Sequence, residues 1–122
     1  MKNVDLHTHS YYSFLDGVCS PEELVLAAKK SAMKTIALTD HNGLYGAVEF
    51  FQKAQEYGIK PIIGSEISLN DGGNLLFLVK NEIGYRNLSQ LISSARLKGG
   101  HLKFKCTLSE VRKFNEGLIA LS

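Results

Sequence analysis

Apolar positions in the chain follow two periods, one of two residues and one of about 3.6. Residues 3 to 8 alternate, with Val4 and Leu6 on one side and Asp5, His7 and the following His9 on the other, as in a half-buried strand. A polar and aromatic loop follows through Cys19. Ser20-Pro21-Glu22-Glu23 then combines a capping serine, a proline at the first helical position and a glutamate three residues past the cap, which predicts a helix through about Met33. The apolar run KTIALTD predicts a buried strand, and HNG after it opens a loop. Next come a helix from about Leu44 to Tyr57, closed by Gly58 as a left-handed cap, a third strand in IKPIIGSEISL, a turn at NDGG and a fourth strand in NLLFLVK. A helix from roughly Ile83 to Leu97 ends at a Gly-Gly break. Thr107, with Glu110 in capping-box position, starts a short helix, and LIALS forms a fifth strand.

Leu88, Leu91, Ile92 and Ala95 recur at helical spacing, as do Leu24, Ala27 and Ala28, and both stripes are expected in the core. Strand and helix alternate for most of the chain, which argues for an α/β domain of parallel strands joined by right-handed crossovers. A closed α/β barrel usually needs roughly 200 residues or more. With 122 residues the architecture looks unfinished, ending on a strand without a following helix.

Composition narrows the function classes. At 44% hydrophobic and 21% charged residues the chain can bury a core. A net charge of +2 implies nucleic-acid binding only if the cations cluster. Arg96, Lys98, Lys103, Lys105, Arg112 and Lys113 do collect in one stretch, read as solvated surface ahead of a phosphate-contacting patch. Cys19 and Cys106 lack CxxC spacing and are expected as free thiols. No apolar run reaches the ~18 residues of a membrane span, and the N-terminus runs straight into a strand, so the expected location is cytoplasmic, with no membrane partner.

Chemistry concentrates at three strand ends: His7-Thr8-His9, Thr39-Asp40-His41 and Gly64-Ser65-Glu66. In parallel α/β architectures such ends converge on one rim, where active sites form. Imidazoles and carboxylates are the usual protein ligands of zinc, manganese and iron. Two histidines at i and i+2 on a strand lie about 6.6 Å apart along it, within reach of one cluster, and Asp16 can join from the loop. Two or three ions there would lower the pKa of a bound water and clamp both oxygens of a phosphoester, which makes phosphoester hydrolysis the expected reaction. A neutral polar rim without metal is the alternative. Tyr11, Tyr12 and Phe14 suit packing better than base stacking, and Gly43 and Gly46 fit either phosphate approach or helix entry.

The same segments resemble the first motifs of the PHP (polymerase and histidinol phosphatase) domain. HSYYSFLDG, ALTDHNGLYGAVEFFQKAQEYGIKPIIGSE, LVKNEIGYRNLSQLISSAR and EGLIALS are similar, nearly end to end, to the N-terminal PHP domains of bacterial replicative polymerases of the DNA polymerase III alpha family. The resemblance implies a distorted (β/α)7 TIM-like barrel, of which about five strands fall within this chain. It implies His7, His9, Asp16, His41 and Glu66 as ligands of divalent metal, zinc or manganese, with two or three ions in an intact domain and Glu66 bridging. Asp40 and His41 are the implied catalytic pair, Asp40 orienting a ligand from outside the coordination shell.

Two departures qualify that expectation. Asn74 stands where many such polymerases have a histidine, and asparagine is a poor ligand for these metals. The family's later motifs would lie beyond Ser122, so the chain reads as the N-terminal portion of a PHP domain, expected to hydrolyse little by itself. His101 falls outside every motif and reads as a surface residue. The leading expectation is a DNA-directed DNA polymerase with a metal-dependent 3′–5′ exonuclease proofreading site. Its partners would be DNA, through the full-length protein, and other replication subunits. The alternatives are a non-catalytic scaffold that binds a separate proofreading subunit and a stand-alone phosphoesterase of histidinol-phosphatase type.

Overall fold

The computed structural model describes residues 20–99 and 104–121. The strand expected over residues 3 to 8, the aromatics Tyr11, Tyr12 and Phe14, the candidates His7, His9 and Asp16, and Cys19, His101 and Lys103 lie outside them. Among the described residues the order is α1 (Pro21–Lys30), β1 (Thr35–His41), α2 (Ala47–Glu56), β2 (Lys60–Ser68), β3 (Asn74–Val79), α3 (Glu82–Gly99), α4 (Leu108–Lys113) and β4 (Leu118–Leu121).

Helix starts follow local chemistry. At α1 the Glu23 N–H donates to Ser20 Oγ and the Ser20 N–H to Glu23 Oε1, both at 3.1 Å, so two orphan donors are satisfied reciprocally. Thr107 and Glu110 repeat this box at α4. α2 begins at Ala47, later than the expected Leu44, because Gly46 brings no side-chain cap and the preceding residues are used by the β1 loop. Gly58, at φ +72°, closes that helix as expected.

The stripe on α3 is buried throughout, at Leu88, Leu91, Ile92 and Ala95. On α1 the expected stripe is corrected: Val25 and Ala28 are buried and Leu24 partly so, whereas Ala27 is exposed. A run of five consecutive apolar residues, Leu24 to Ala28, offers two overlapping faces, and tertiary packing selects the one carrying Val25.

The four described strands form one sheet in the order β1-β2-β3-β4. β1 and β2 are parallel and joined through α2, as the alternation of elements predicts. The parallel strands expected from alternation over most of the chain do not extend to β3, which runs antiparallel to β2, or to β4, which runs antiparallel to β3. The β2–β3 connection is a tight turn in which the Leu69 N–H donates to the Gly73 carbonyl at 2.7 Å. A parallel return would need about a dozen residues or more. The reversal puts Asn74, the first residue of β3, opposite Ser68, at the same rim as the ends of β1 and β2.

Strand alternation divides the sheet. Ile36, Leu38 and Ile63 pack with Val25, Phe50 and Ala54 of the first two helices. Ile67 and Phe77 pack with α3 and Cys106. Thr39, His41, Gly64, Glu66 and Ser68 belong to the opposite face by the same alternation. Phe50 and Phe77 are fully enclosed, each worth roughly 2–3 kcal/mol of burial. Cys106 is a free, buried thiol whose pKa desolvation, together with the Glu110 charge, raises to about 11. Among the described residues no helix is long and apolar enough to cross a membrane.

Glu110 is the buried carboxylate of the α3–α4 contact. Burial alone would raise its pKa. Hydrogen bonds from Ser94 Oγ at 3.0 Å and from Thr107, with the Lys98 ammonium at 3.4 Å, outweigh burial and leave the pKa below its ordinary 4.5. A depressed folded-state pKa means the stabilisation is complete above the unfolded value and is lost as pH falls through the folded one. Stability of the wild-type chain should therefore drop on acidification below about pH 4.5, and Glu110→Gln should flatten that drop. Urea unfolding at pH 3 to 6 measures both, and parallel profiles for the two proteins would remove Glu110 from the acid response.

Candidate functional site

The β1–β2 register places Thr39 beside Gly64, Asp40 beside Ser65 and His41 beside Glu66. Two motifs separated by 25 residues thus end side by side. His41 Nδ1 lies 2.9 Å from Glu66 Oε2, and His41 Nε2 lies 2.9 Å from Ser68 Oγ. In the neutral ring, Nδ1–H donates to the carboxylate and Nε2 accepts from the serine hydroxyl. The His41 side chain is 32% exposed and that of Glu66 17%, so both are accessible without being loose.

Asn42 fixes the turn after β1. Its backbone is left-handed, at φ +49°, a conformation asparagine tolerates better than most residues. Its N–H donates to the Glu66 carbonyl at 2.8 Å, which prolongs the β1–β2 pairing by one residue. Its side-chain oxygen accepts from the Ser68 N–H at 2.8 Å and its amide donates to Ser68 Oγ at 3.3 Å. Its carbonyl accepts from Arg96 Nη2 on α3. Ser65, fully buried, donates through Oγ to the Asp40 carbonyl at 2.8 Å and accepts from the Gly43 N–H at 3.1 Å. The loop is tied at every residue from Asp40 to Gly43.

Asp40 is 2% exposed, and alternation sets it on the opposite face of the sheet from His41. His41 and Glu66 are the two predicted ligands that the described residues bring together. His7, His9 and Asp16 lie outside the described residues, and among those described no group of three or more His, Cys, Asp or Glu side chains surrounds a common point. Asn74 is exposed at the rim across from Ser68. Gly43 lies under the Tyr45 ring, so packing accounts for it, and Gly46 serves helix entry.

An imidazole nitrogen and a carboxylate oxygen are donor types that suit a divalent ion, and here Nδ1 and Oε2 lie 2.9 Å apart, at hydrogen-bond distance. Ser68 then remains on the far ring nitrogen, where a histidine ligand ordinarily has its orienting partner. Sequence reading missed Ser68 and Asn42, and placed Arg96 only in a basic stretch read as solvated surface. Ser68 had a readable signal, two residues past Glu66 on the same strand face. The contact of Arg96 with Asn42 had none, since 54 residues separate the two.

The model of the PHP domain matches residues 5–122. Among curated proteins, the DNA polymerase III subunit alpha of Borreliella burgdorferi is 40% identical over 133 residues, covering 98% of this chain and 12% of that protein. The error-prone DNA polymerase of Symbiobacterium thermophilum is 42% identical over 138 residues, covering 100% of this chain and 13% of that protein. The chain thus spans 12 to 13% of the length of these relatives. Of solved structures, an amidohydrolase from Chromobacterium violaceum with bound sulfate and no metal matches with TM-score 0.65 and 31% identity, over 78% of this chain and 34% of that one. A Bifidobacterium adolescentis protein assigned as a metal-dependent phosphoesterase matches with TM-score 0.60 and 25% identity, over 80% of this chain and 35% of that one. The mixed α/β architecture of the sequence expectation therefore holds, with four of its five strands among the described residues.

Proposed function

Since the chain belongs to the PHP domain family, we propose that it is the N-terminal portion of a PHP domain in a DNA polymerase of the DNA polymerase III alpha kind, with a divalent-metal phosphoesterase site at the β1–β2 rim. The observation that carries the site is the 2.9 Å approach of His41 and Glu66, two ligand-type side chains delivered by neighbouring parallel strands. His7, His9 and Asp16 are proposed to complete the ligand set with His41 and Glu66. Zinc or manganese held there would supply an acidified water and positive charge against the phosphoester.

The chain's own residues do the positioning. Ser68 holds the His41 ring from Nε2, Asn42 holds Ser68, and buried Asp40 steadies the strand end through its paired carbonyl. Kinship with polymerases makes 3′–5′ exonuclease proofreading the proposed biological use, and DNA and replication subunits the proposed partners.

A second reading, a scaffold without catalysis, is favoured by Asn74, a poor ligand at the same rim. Metal analysis of the purified chain separates the two. Zinc or manganese near stoichiometry, lost in His9→Ala, is expected for the metal site. A metal-free, fully folded chain would leave only the scaffold.

A further inference from the structure

Arg96 of α3 reaches the loop after β1 across 54 residues of sequence, where its Nη2 donates to the Asn42 carbonyl. Asn42 is also the residue whose side chain accepts from the Ser68 N–H at 2.8 Å and donates to Ser68 Oγ at 3.3 Å. Ser68 Oγ in turn lies 2.9 Å from His41 Nε2. A continuous chain of hydrogen bonds thus runs from an exposed residue of α3, through Asn42 and Ser68, to the His41 ring. The guanidinium is itself held. It sits 5.3 Å from the centroid of the Tyr45 ring and 5.7 Å from that of Phe104, within the reach of cation–π attraction to each. Tyr45 belongs to the same loop as Asn42, and its ring lies against Gly43. One side chain therefore grips the loop twice, at the Asn42 backbone and at the Tyr45 ring.

We infer that Arg96 is a positioning residue for the His41–Glu66 pair: by holding Asn42 in its left-handed turn it keeps Ser68 on His41 Nε2, and so keeps Nδ1 turned to Glu66. This rests on the metal-site reading above and adds the residue that sets its geometry from another element. Asn42 has φ +49°, and a residue in that region stays there only where its surroundings hold it. Where the contact falls favours this role over general support of the loop. Arg96 meets the residue that brackets Ser68, so a shift of Asn42 displaces both of its bonds to Ser68 together. An arginine suits the task because its planar group can lie against two rings and still donate in its own plane, which an ammonium cannot do.

The test begins with 15N NMR of the His41 ring in the 122-residue chain, stripped of metal by chelator and held at mildly alkaline pH. In wild type the ring is expected in its Nδ1–H form, donating to Glu66 and accepting from Ser68 at Nε2. An unconstrained imidazole prefers the Nε2–H form, so Arg96→Gln should move both nitrogen shifts toward that form. Manganese affinity, read by isothermal titration, should fall about three- to tenfold in Arg96→Gln, less than for loss of Ser68, which touches the ring directly. Removing a cation near a metal site by itself strengthens binding, so this loss has the opposite sign to simple electrostatics. Arg86→Gln, at an exposed arginine earlier on α3, measures that charge effect alone. Arg96→Lys should resemble Arg96→Gln, since it keeps the charge and loses the planar fork. In a Ser68→Ala background Arg96→Gln should cost at most about twofold more, because the path to His41 is already cut. Unchanged ring shifts in Arg96→Gln overturn the proposal, as does a wild-type ring already in the Nε2–H form. So does an equal manganese loss with and without Ser68, which would make Arg96 a support of the loop acting by another route. If the wild-type chain binds no manganese while the ring shifts move as expected, the metal centre fails and the positioning of His41 stands.

Discussion

His41→Ala is expected to weaken divalent-metal binding by more than about 100-fold, beyond the 10- to 100-fold usually lost with an outer partner of a ligand. Fold stability should change little by comparison. His41 sits at the last position of β1, its side chain is a third exposed, and it hydrogen-bonds Glu66 and Ser68. Losing them costs on the order of 1–2 kcal/mol. A graded series makes the result specific. Glu66→Gln keeps the shape of the pair and removes its charge, so it should approach the His41→Ala loss. Ser68→Ala removes only the partner of Nε2, so it should fall within the 10- to 100-fold range. Isothermal titration with manganese, alongside thermal unfolding of each variant, reads both quantities. Equal affinity in wild type and His41→Ala would show that the rim binds no ion through this pair.

That expectation draws on features that were legible in the sequence to different degrees. The two capping boxes were readable because each carries its own partners within four residues, Ser20 with Glu23 and Thr107 with Glu110. The meeting of His41 and Glu66 was readable for a subtler reason. Both close a short apolar run, and parallel pairing of neighbouring strands in register sets equivalent ends side by side. The direction of β3 was misread although its signal was present. The turn at Asn70-Asp71-Gly72-Gly73 is too short for a crossover, and a local signal of that kind outweighs a rule about alternating elements. Arg96 was legible only as one member of a basic stretch. Its pairing with the Asn42 carbonyl depends on how α3 packs, and no spacing in the chain encodes that. Val25 rather than Ala27 was likewise decided by packing, where two helix faces were equally apolar.

Gly64 is where motif and packing separate most sharply. In Gly64-Ser65-Glu66 the sequence presents a chemical motif, but the glycine's own contribution is steric. A Cβ at Gly64 would collide with the backbone carbonyl oxygen of Phe77 and stand 3.1 Å from Leu78 Cδ2. The obstacle is backbone in the paired strand, and β3 cannot retreat without opening its register with β2. Gly64→Ala is therefore expected to destabilise the chain by about 3 kcal/mol or more, the upper range for overpacking against atoms that cannot move aside. For a domain of this size that corresponds to a fall in Tm on the order of 10–20 °C.

Gly72→Ala is the matched control. Gly72 lies in the β2–β3 turn at φ +100° with nothing within 4 Å of an added Cβ, so its cost is backbone strain alone, about 1 kcal/mol. Thermal unfolding followed by circular dichroism compares the two. Equal shifts would mean that β3 yields at Gly64 and that the close strand contact is not a constraint. A larger shift at Gly64 should come with weakened manganese binding, because Glu66 is two residues along the same strand and any displacement of β2 there moves its carboxylate away from His41.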